Sequence, residues 1–359
     1  MQQLATDYLV QYQAATLAAF QQQRAGETRL GETLYWPATN AGAVPVDFPQ
    51  QLQQAKANGV QFVILGICED IGPRANFGNG GADAGFVAFI RRFINLQANP
   101  FADGSHIWLL GEVDCADLQQ QSTGLSASDP AQLAELRQLC AEIDRRAAPL
   151  LQAIFAAGLY PLVIGGGHNN ALPMIQALAA QHGQPVNAIN LDPHCDFRLL
   201  EGRHSGNGFS YAKAQGVLAQ YYVLGLHELK NSATALQQLQ QHQAAFCSYQ
   251  DIYLRRKLSF TAAVAAAIRH FAPDTPLGIE LDTDSISLMP VSAFTNCGIS
   301  VNEAEYYVYQ LASLPHSAYL HLAEAAPAQH PAGITAGMSE AGQVLTSLVM
   351  AFIQAKTAR

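Results

Sequence analysis

Three short segments of this chain each place metal-binding side chains directly after an apolar run. Ile164-Gly165-Gly166-Gly167-His168-Asn169-Asn170 follows YPLVI, Asn190-Leu191-Asp192-Pro193-His194-Cys195-Asp196 follows VNAINL, and Glu280-Leu281-Asp282-Thr283-Asp284 closes PLGIEL. In the first, three glycines let the backbone turn sharply, and Asn169 is a candidate cap for a following helix. The rival reading, a phosphate loop, lacks both G-x-G-x-x-G and Gly-Lys-Ser/Thr. In the second, Asp192, His194 and Asp196 alternate, so extended backbone projects all three to one side. Two carboxylates flanking an imidazole repel unless a cation holds them. In the third, Asp282 and Asp284 share a side in the same way, with a helix cap as the competing role for Asp284. Buried carboxylates at such positions need protons, positive partners or metal.

Together the segments supply four Asp and two His. That set is oxygen-rich for zinc and better matched to Mn²⁺. Six protein ligands exceed what one ion with an open position wants, and suit two ions about 3.5–4 Å apart with shared carboxylates. Cys195 points to the opposite side and reads as packing.

Such ligands need elements to hold them. Apolar runs rich in Val, Ile and Tyr recur at 61–67, 106–110, 160–164, 186–191, 219–225, 244–247, 276–281 and 317–323. Between them, segments of helical period fall at 84–96, 130–157, 171–182, 232–242, 259–271, 302–313 and 338–356. Eight buried-type strands alternating with helices predict an α/β protein with a mainly parallel sheet. Periodicity does not separate an open sheet from a barrel, and both put active sites at the carboxyl ends of strands. Leu4, Tyr8, Tyr12, Ala15 and Ala19 predict a helix over residues 1–24, and turn formers make 25–58 a lead-in. No composition break or repeat divides 1–359, so one domain is expected.

The composition excludes other classes. With 19 basic against 28 acidic residues and a net charge of −9, no clustered cations exist for counterion release from nucleic acid. The six cysteines show no two-residue spacing and read as free thiols of a reducing compartment. The N-terminus lacks the pattern of a signal peptide, and the most apolar stretch, Ala262–Ile268, is too short to span a bilayer. A cytoplasmic enzyme is the expectation.

From about Ile64 to Glu324 these motifs resemble the ureohydrolases, the family of arginase, agmatinase, formimidoylglutamase and guanidino-acid hydrolases. The resemblance implies a three-layer α-β-α sandwich around a mainly parallel eight-stranded sheet. It also implies two Mn²⁺ per chain. His168, Asp192, Asp196 and Asp282 would hold one ion. His194, Asp192, Asp282 and Asp284 would hold the other, with Asp192 and Asp282 bridging. Glu324, in HLAEAAP, matches the family's glutamate on the substrate side. Departures point to one branch. Gly166-Gly167-His168 replaces Gly-Gly-Asp-His, Ser287 stands where relatives carry a third Asp, and Phe209 stands where arginases place a proton-shuttling His. Ser205-Gly206-Asn207-Gly208-Phe209 and the 66–85 stretch resemble formimidoylglutamases.

The implied reaction is hydrolysis of a C–N bond in a linear amidine. N-formimidoyl-L-glutamate, giving formamide and L-glutamate, is the first-choice substrate. An arginase- or agmatinase-type guanidine hydrolase is the alternative, and a non-catalytic metal-binding paralogue the third. Glu324 would hold the cationic amidine, and Asp196 would carry the proton to the departing amine. Arg198 and the loop with Ser205 and Asn207 are the candidates for the substrate carboxylates, with Arg203, His204 and Arg74 as further cations. The expected partner is the small-molecule amidine or guanidine, without nucleic acid or membrane. Homo-oligomer formation is left open.

Overall fold

The computed structural model describes residues 7–37 and 47–358. Nine strands form one sheet: β1 (Leu9–Gln11), β2 (Phe62–Ile67), β3 (Ile107–Val113), β4 (Tyr160–Ile164), β5 (Val186–Leu191), β6 (Leu218–Leu226), β7 (Ala245–Ser248), β8 (Leu277–Asp282) and β9 (Ser317–Ala323). Their order is β1-β3-β2-β4-β9-β8-β5-β6-β7, and only β1 runs antiparallel to its neighbour. All eight expected strands are present, and the sheet is open rather than a barrel.

Period-2 alternation builds the layers. On β2, Phe62 and Ile64 enter one core while Val63, Leu65 and Ile67 enter the other. Helices Gly85–Phe93, Val301–Ala312 and Ile334–Thr357 cover the first face. Pro130–Ala156 and Ala171–His182 cover the second. A central parallel strand buried on both faces carries few polar residues, so those it does carry stand out. Asn190, Glu280 and His321 are such residues, each fully buried.

Two expectations need correction. Residues 1–24 are not one helix. Leu9–Gln11 pairs with Gly111–Val113 as an edge strand that makes the sheet nine-stranded, and among the described residues 7–24 only Ala14–Leu17 is helical. The amides and carbonyls of β3 capture this segment, with Tyr12 N donating to Leu110 O at 2.8 Å, and ladder pairing overrides a helical pattern in which only Leu17 is buried. Residues 1–6 lie outside the described residues. Within the lead-in, Phe48–Ala57 is a helix capped by Asp47, whose side chain accepts from Gln50 N. The most apolar stretch is not Ala262–Ile268: Ile334–Thr357 is long and apolar enough to cross a membrane by length and composition. Most of its apolar stretch is buried, packed inside the first face as a core helix.

Candidate metal centre and substrate pocket

His168 stands on the turn after β4. Gly165 and Gly166 adopt φ of 95° and 70°, and a Cβ on Gly166 would lie 2.7 Å from Glu69 Oε1. Glu69 organises this turn. Its Oε1 accepts from Gly167 N at 2.7 Å and from the side-chain amide of Asn170 at 2.8 Å, while Oε2 accepts from Gly72 N at 2.9 Å. Burial pushes the Glu69 carboxyl up and these bonds oppose it. The sequence signal was present, a buried-type acid right after β2, but its role needed the fold.

Opposite the turn lie the ends of β5 and β8. His168 Nδ1 is 3.3 Å from Asp192 Oδ2, 3.0 Å from Asp196 Oδ2 and 3.4 Å from Asp282 Oδ2. His194 Nδ1 is 3.5 Å from Asp192 Oδ1 and 3.8 Å from Asp284 Oδ2. Asp192 thus turns one oxygen to each imidazole. Two groups of ligand atoms, each within 4.8 Å of one another, result: His168, Asp192, Asp196 and Asp282, and His194, Asp282 and Asp284. Asp282 belongs to both. All six residues expected from the sequence come together.

These groups are not satisfied by one another. Among the described residues, His168 Nδ1 and Asp284 Oδ1 are buried with no hydrogen-bond partner. Burial and the charge of Asp282 push the Asp284 carboxyl well up, and burial with the charge of Asp192 pushes Asp282 up to about 6. Burial opposes the protonated imidazole of His194, but Asp192 and Asp284 outweigh it and raise its pKa to about 9. Four carboxylates this close need positive charge, and unpaired ligand atoms aimed between them fit divalent cations.

Beneath His168 sits a second polar group. Its Nε2 is 3.3 Å from Glu280 Oε2, which is 2.6 Å from His321 Nδ1, and Glu280 Oε1 accepts from Tyr319 Oη at 2.5 Å. A Cβ on Gly278 would lie 2.2 Å from the Tyr319 hydroxyl, so only glycine leaves room for that ring. Burial alone would raise Glu280, but His321 and His168 hold it down at about 2. Nε2 facing this carboxylate leaves Nδ1 toward the Asp cluster.

A cavity of about 200 Å³ opens over the centre. Its lining includes His194, Asp196, Asp282, Asp284 and Glu324 together with Arg198, Ser205 and Lys230, while His168 and Asp192 are fully buried and do not line it. Glu324 follows β9 at a φ of 68° and accepts from His168 N at 2.9 Å. Burial, then the charges of Asp282 and Asp284, push its carboxyl well up. A larger groove of about 1220 Å³ between Val301–Ala312 and Ile334–Thr357 holds none of these residues.

Several expected cations do not reach the pocket. Arg203 is buried against Asp144, with Nε–Oδ2 of 2.7 Å, and also donates to Asn207 Oδ1 at 2.6 Å. His204 is buried with Nδ1 accepting from Gly206 N, and Arg74 pairs with Asp70. Asn207 is fully buried, its amide donating to Gly202 O and Leu199 O, so it shapes the loop rather than meeting a ligand. Arg203, His204 and Asn207 are consumed by folding the loop that presents Arg198 and Ser205, and Arg74 is held by Asp70, Ser122 and Leu125. Lys230 faces the pocket unforeseen, since nothing in its sequence neighbourhood marks it.

The family model described as the Arginase family matches residues 60–350. Formimidoylglutamase of Geobacillus thermodenitrificans is 28% identical over 299 residues, covering 81% of this chain and 83% of that protein. Formimidoylglutamase of Chromobacterium violaceum is 30% identical over 189 residues, 51% of this chain and 54% of that protein. Among solved structures, Trypanosoma cruzi formiminoglutamase with Mn²⁺₂ superposes with a TM-score of 0.68 at 21% identity, covering 93% of this chain and 100% of that one.

Proposed function

Because the chain belongs to the arginase family, we propose that it hydrolyses the C–N bond of a linear amidine at a centre of two Mn²⁺, converting N-formimidoyl-L-glutamate and water to formamide and L-glutamate. The observation that carries this reading is the Asp192 carboxylate, which offers one oxygen toward His168 and the other toward His194. His168, Asp192, Asp196 and Asp282 would hold one ion, and His194, Asp192, Asp282 and Asp284 the other. Such ions supply Lewis acidity and lower the pKa of water toward neutrality.

The chain's own residues do the rest. Glu324 accepts hydrogen bonds from the amidinium and holds its carbon over the cluster. Asp196 takes a proton from the attacking water and returns it to the departing nitrogen of glutamate. The oxygen of water becomes the formamide oxygen, and the C–N bond to glutamate breaks. Arg198 and Ser205 border the space left for the tail. The formimidoylglutamases among the relatives favour this substrate over arginine or agmatine. The same reading takes 1–359 as one catalytic unit acting in the cytoplasm, with a small molecule as its partner and homo-oligomer formation left open. Its six free cysteines suit a reducing compartment.

Purified protein loaded with Mn²⁺ and assayed against formimidoylglutamate, arginine, agmatine and guanidino acids tests the proposal. Formimidoylglutamate turned over fastest is expected. A guanidine turned over faster overturns the substrate, and no turnover of any member makes the chain a non-catalytic paralogue.

A further inference from the structure

We propose that Lys230 and Arg198 form a two-cation subsite that binds the two carboxylates on the substrate's tail, so that Lys230 is a specificity-determining residue. This rests on the amidine reading above and deepens it.

Charge is graded along the order of the strands. From β9 through β8 and β5 to β6, neighbouring strands end in Glu324, in Asp282 and Asp284, in the Asp192–Asp196 group, and in the turn that carries Lys230. Steps of about 4.8 Å separate parallel neighbours. Acid therefore lines the ends of β9, β8 and β5, and the two cations border the cavity from the loops beyond β5 and β6. A molecule with a cationic head and an anionic tail lies across these strand ends in only one direction. Its head meets Glu324 and its tail meets Lys230.

The turn bearing Lys230 is fastened to the cluster. His227 N donates to Pro193 O at 2.8 Å, and Lys230 N donates to His227 O at 3.0 Å. Asn231 ties the same two loops, its amide donating to Pro193 O at 2.9 Å and its Oδ1 accepting from Cys195 N at 2.8 Å. The backbone of Lys230 is thus registered to the residues between His194 and Asp196.

Both cations are uncommitted. Among the described residues, neither the Lys230 ammonium nor the Arg198 guanidinium has a hydrogen bond or ion pair within the chain. Arg74, Arg137 and Arg203 nearby are paired with Asp70, Glu201 and Asp144. The carboxylates that Lys230 faces across the pocket are the ligands of the centre, which leaves its ammonium for an incoming anion. Two separate cations match two carboxylates, whereas a guanidine such as agmatine has nothing to offer them.

Glutarate, a dicarboxylate without an amidine, is the probe. Calorimetric titration into the Mn²⁺-loaded protein at low ionic strength is compared for wild type, Lys230→Gln, Arg198→Gln and Lys230→Arg, beside KM for formimidoylglutamate. Expected is glutarate binding that either Gln substitution weakens by about 10-fold. KM should rise with it by a similar factor and more than kcat falls, and Lys230→Arg should keep most of the affinity. Glutarate affinity and KM unchanged in Lys230→Gln overturn the assignment, as does binding that depends on the metal alone. Wild-type protein that leaves formimidoylglutamate intact defeats the parent reading instead, and the glutarate titration then still decides the subsite.

Discussion

Glu280 and His321 face each other in register across β8 and β9, with Glu280 Oε2 2.6 Å from His321 Nδ1. This contact puts a charged carboxylate inside the sheet, directly behind His168. Three donors surround it, which is what a fully buried carboxylate requires. Its consequence lies one residue further on: His168 is held with one nitrogen against Glu280 and the other open to the Asp cluster. A carboxylate behind a ligating imidazole fixes ring orientation and raises basicity.

Glu280→Gln should therefore weaken the ion near His168 by about 10- to 100-fold. The ion near His194 and Asp284 should be held almost as before. Equilibrium dialysis against Mn²⁺ would resolve two affinities, and finding both unchanged would show Glu280 to be a packing residue only. Tyr319→Phe should act in the same direction, by less.

Asp282 belongs to both ligand groups and Asp284 to one. Asp282→Ala should disturb both ions, and Asp284→Ala mainly one. Metal content after reconstitution and desalting distinguishes them, and equal losses in the two variants would contradict the shared role of Asp282.

Glu324→Gln keeps the shape of the pocket wall and removes the negative charge offered to the amidinium. A fall in kcat/KM on the order of 10²-fold is expected, with metal content retained. Parallel loss of metal and activity would make Glu324 a ligand or a structural residue instead.

Removing metal should make stability depend on pH in a set direction. In the metal-free fold, His194 rises from 6.5 to about 9, because Asp192 and Asp284 outweigh its burial. Asp282 rises from 3.8 to about 6 through burial and the charge of Asp192. Both folded forms hold protons more tightly than the unfolded chain. Their stabilisation is full at low pH and is lost as pH climbs through about 6 and then about 9. Asp192, held at about 2, contributes a constant amount above pH 4. Chelated protein should show Tm falling from pH 5 to 9, with a shallower slope when Mn²⁺ is bound. A Tm that rises over this range after chelation would reject the account.

Arg203 is a loop-building residue by its contacts with Asp144, Asn207 and Asn169 O. Arg203→Met leaves Asp144 buried and unpaired, so a loss of about 3–5 kcal/mol in stability is expected from chemical denaturation. Near-wild-type stability with a raised KM would return Arg203 to the substrate side.

The local pattern of this chain determined its eight parallel strands and the positions of the six candidate ligands that cluster. Both are properties of a few consecutive residues. An apolar run of six reads as a buried strand, and side chains just past its end stand at the carboxyl edge of the sheet. The alternation of Asp192, His194 and Asp196 is not what gathers them, because β5 stops at Leu191, the chain bends, and Asp196 sits at a φ of 45°. Partnership was decided elsewhere. Glu280 reads as one acid in an apolar run until the strand order sets β8 beside β9 and brings His321 against it. Arg198, Arg203 and Lys230 have similar charge, yet Asp144, from a helix some sixty residues earlier, claims one and leaves the others at the pocket. The helix expected over residues 1–24 was lost for the same reason, since the open edge of β3 lies a hundred residues away. Hydrogen bonding and charge pairing act through space over a few ångströms, and only the folded chain sets which residues fall within that reach.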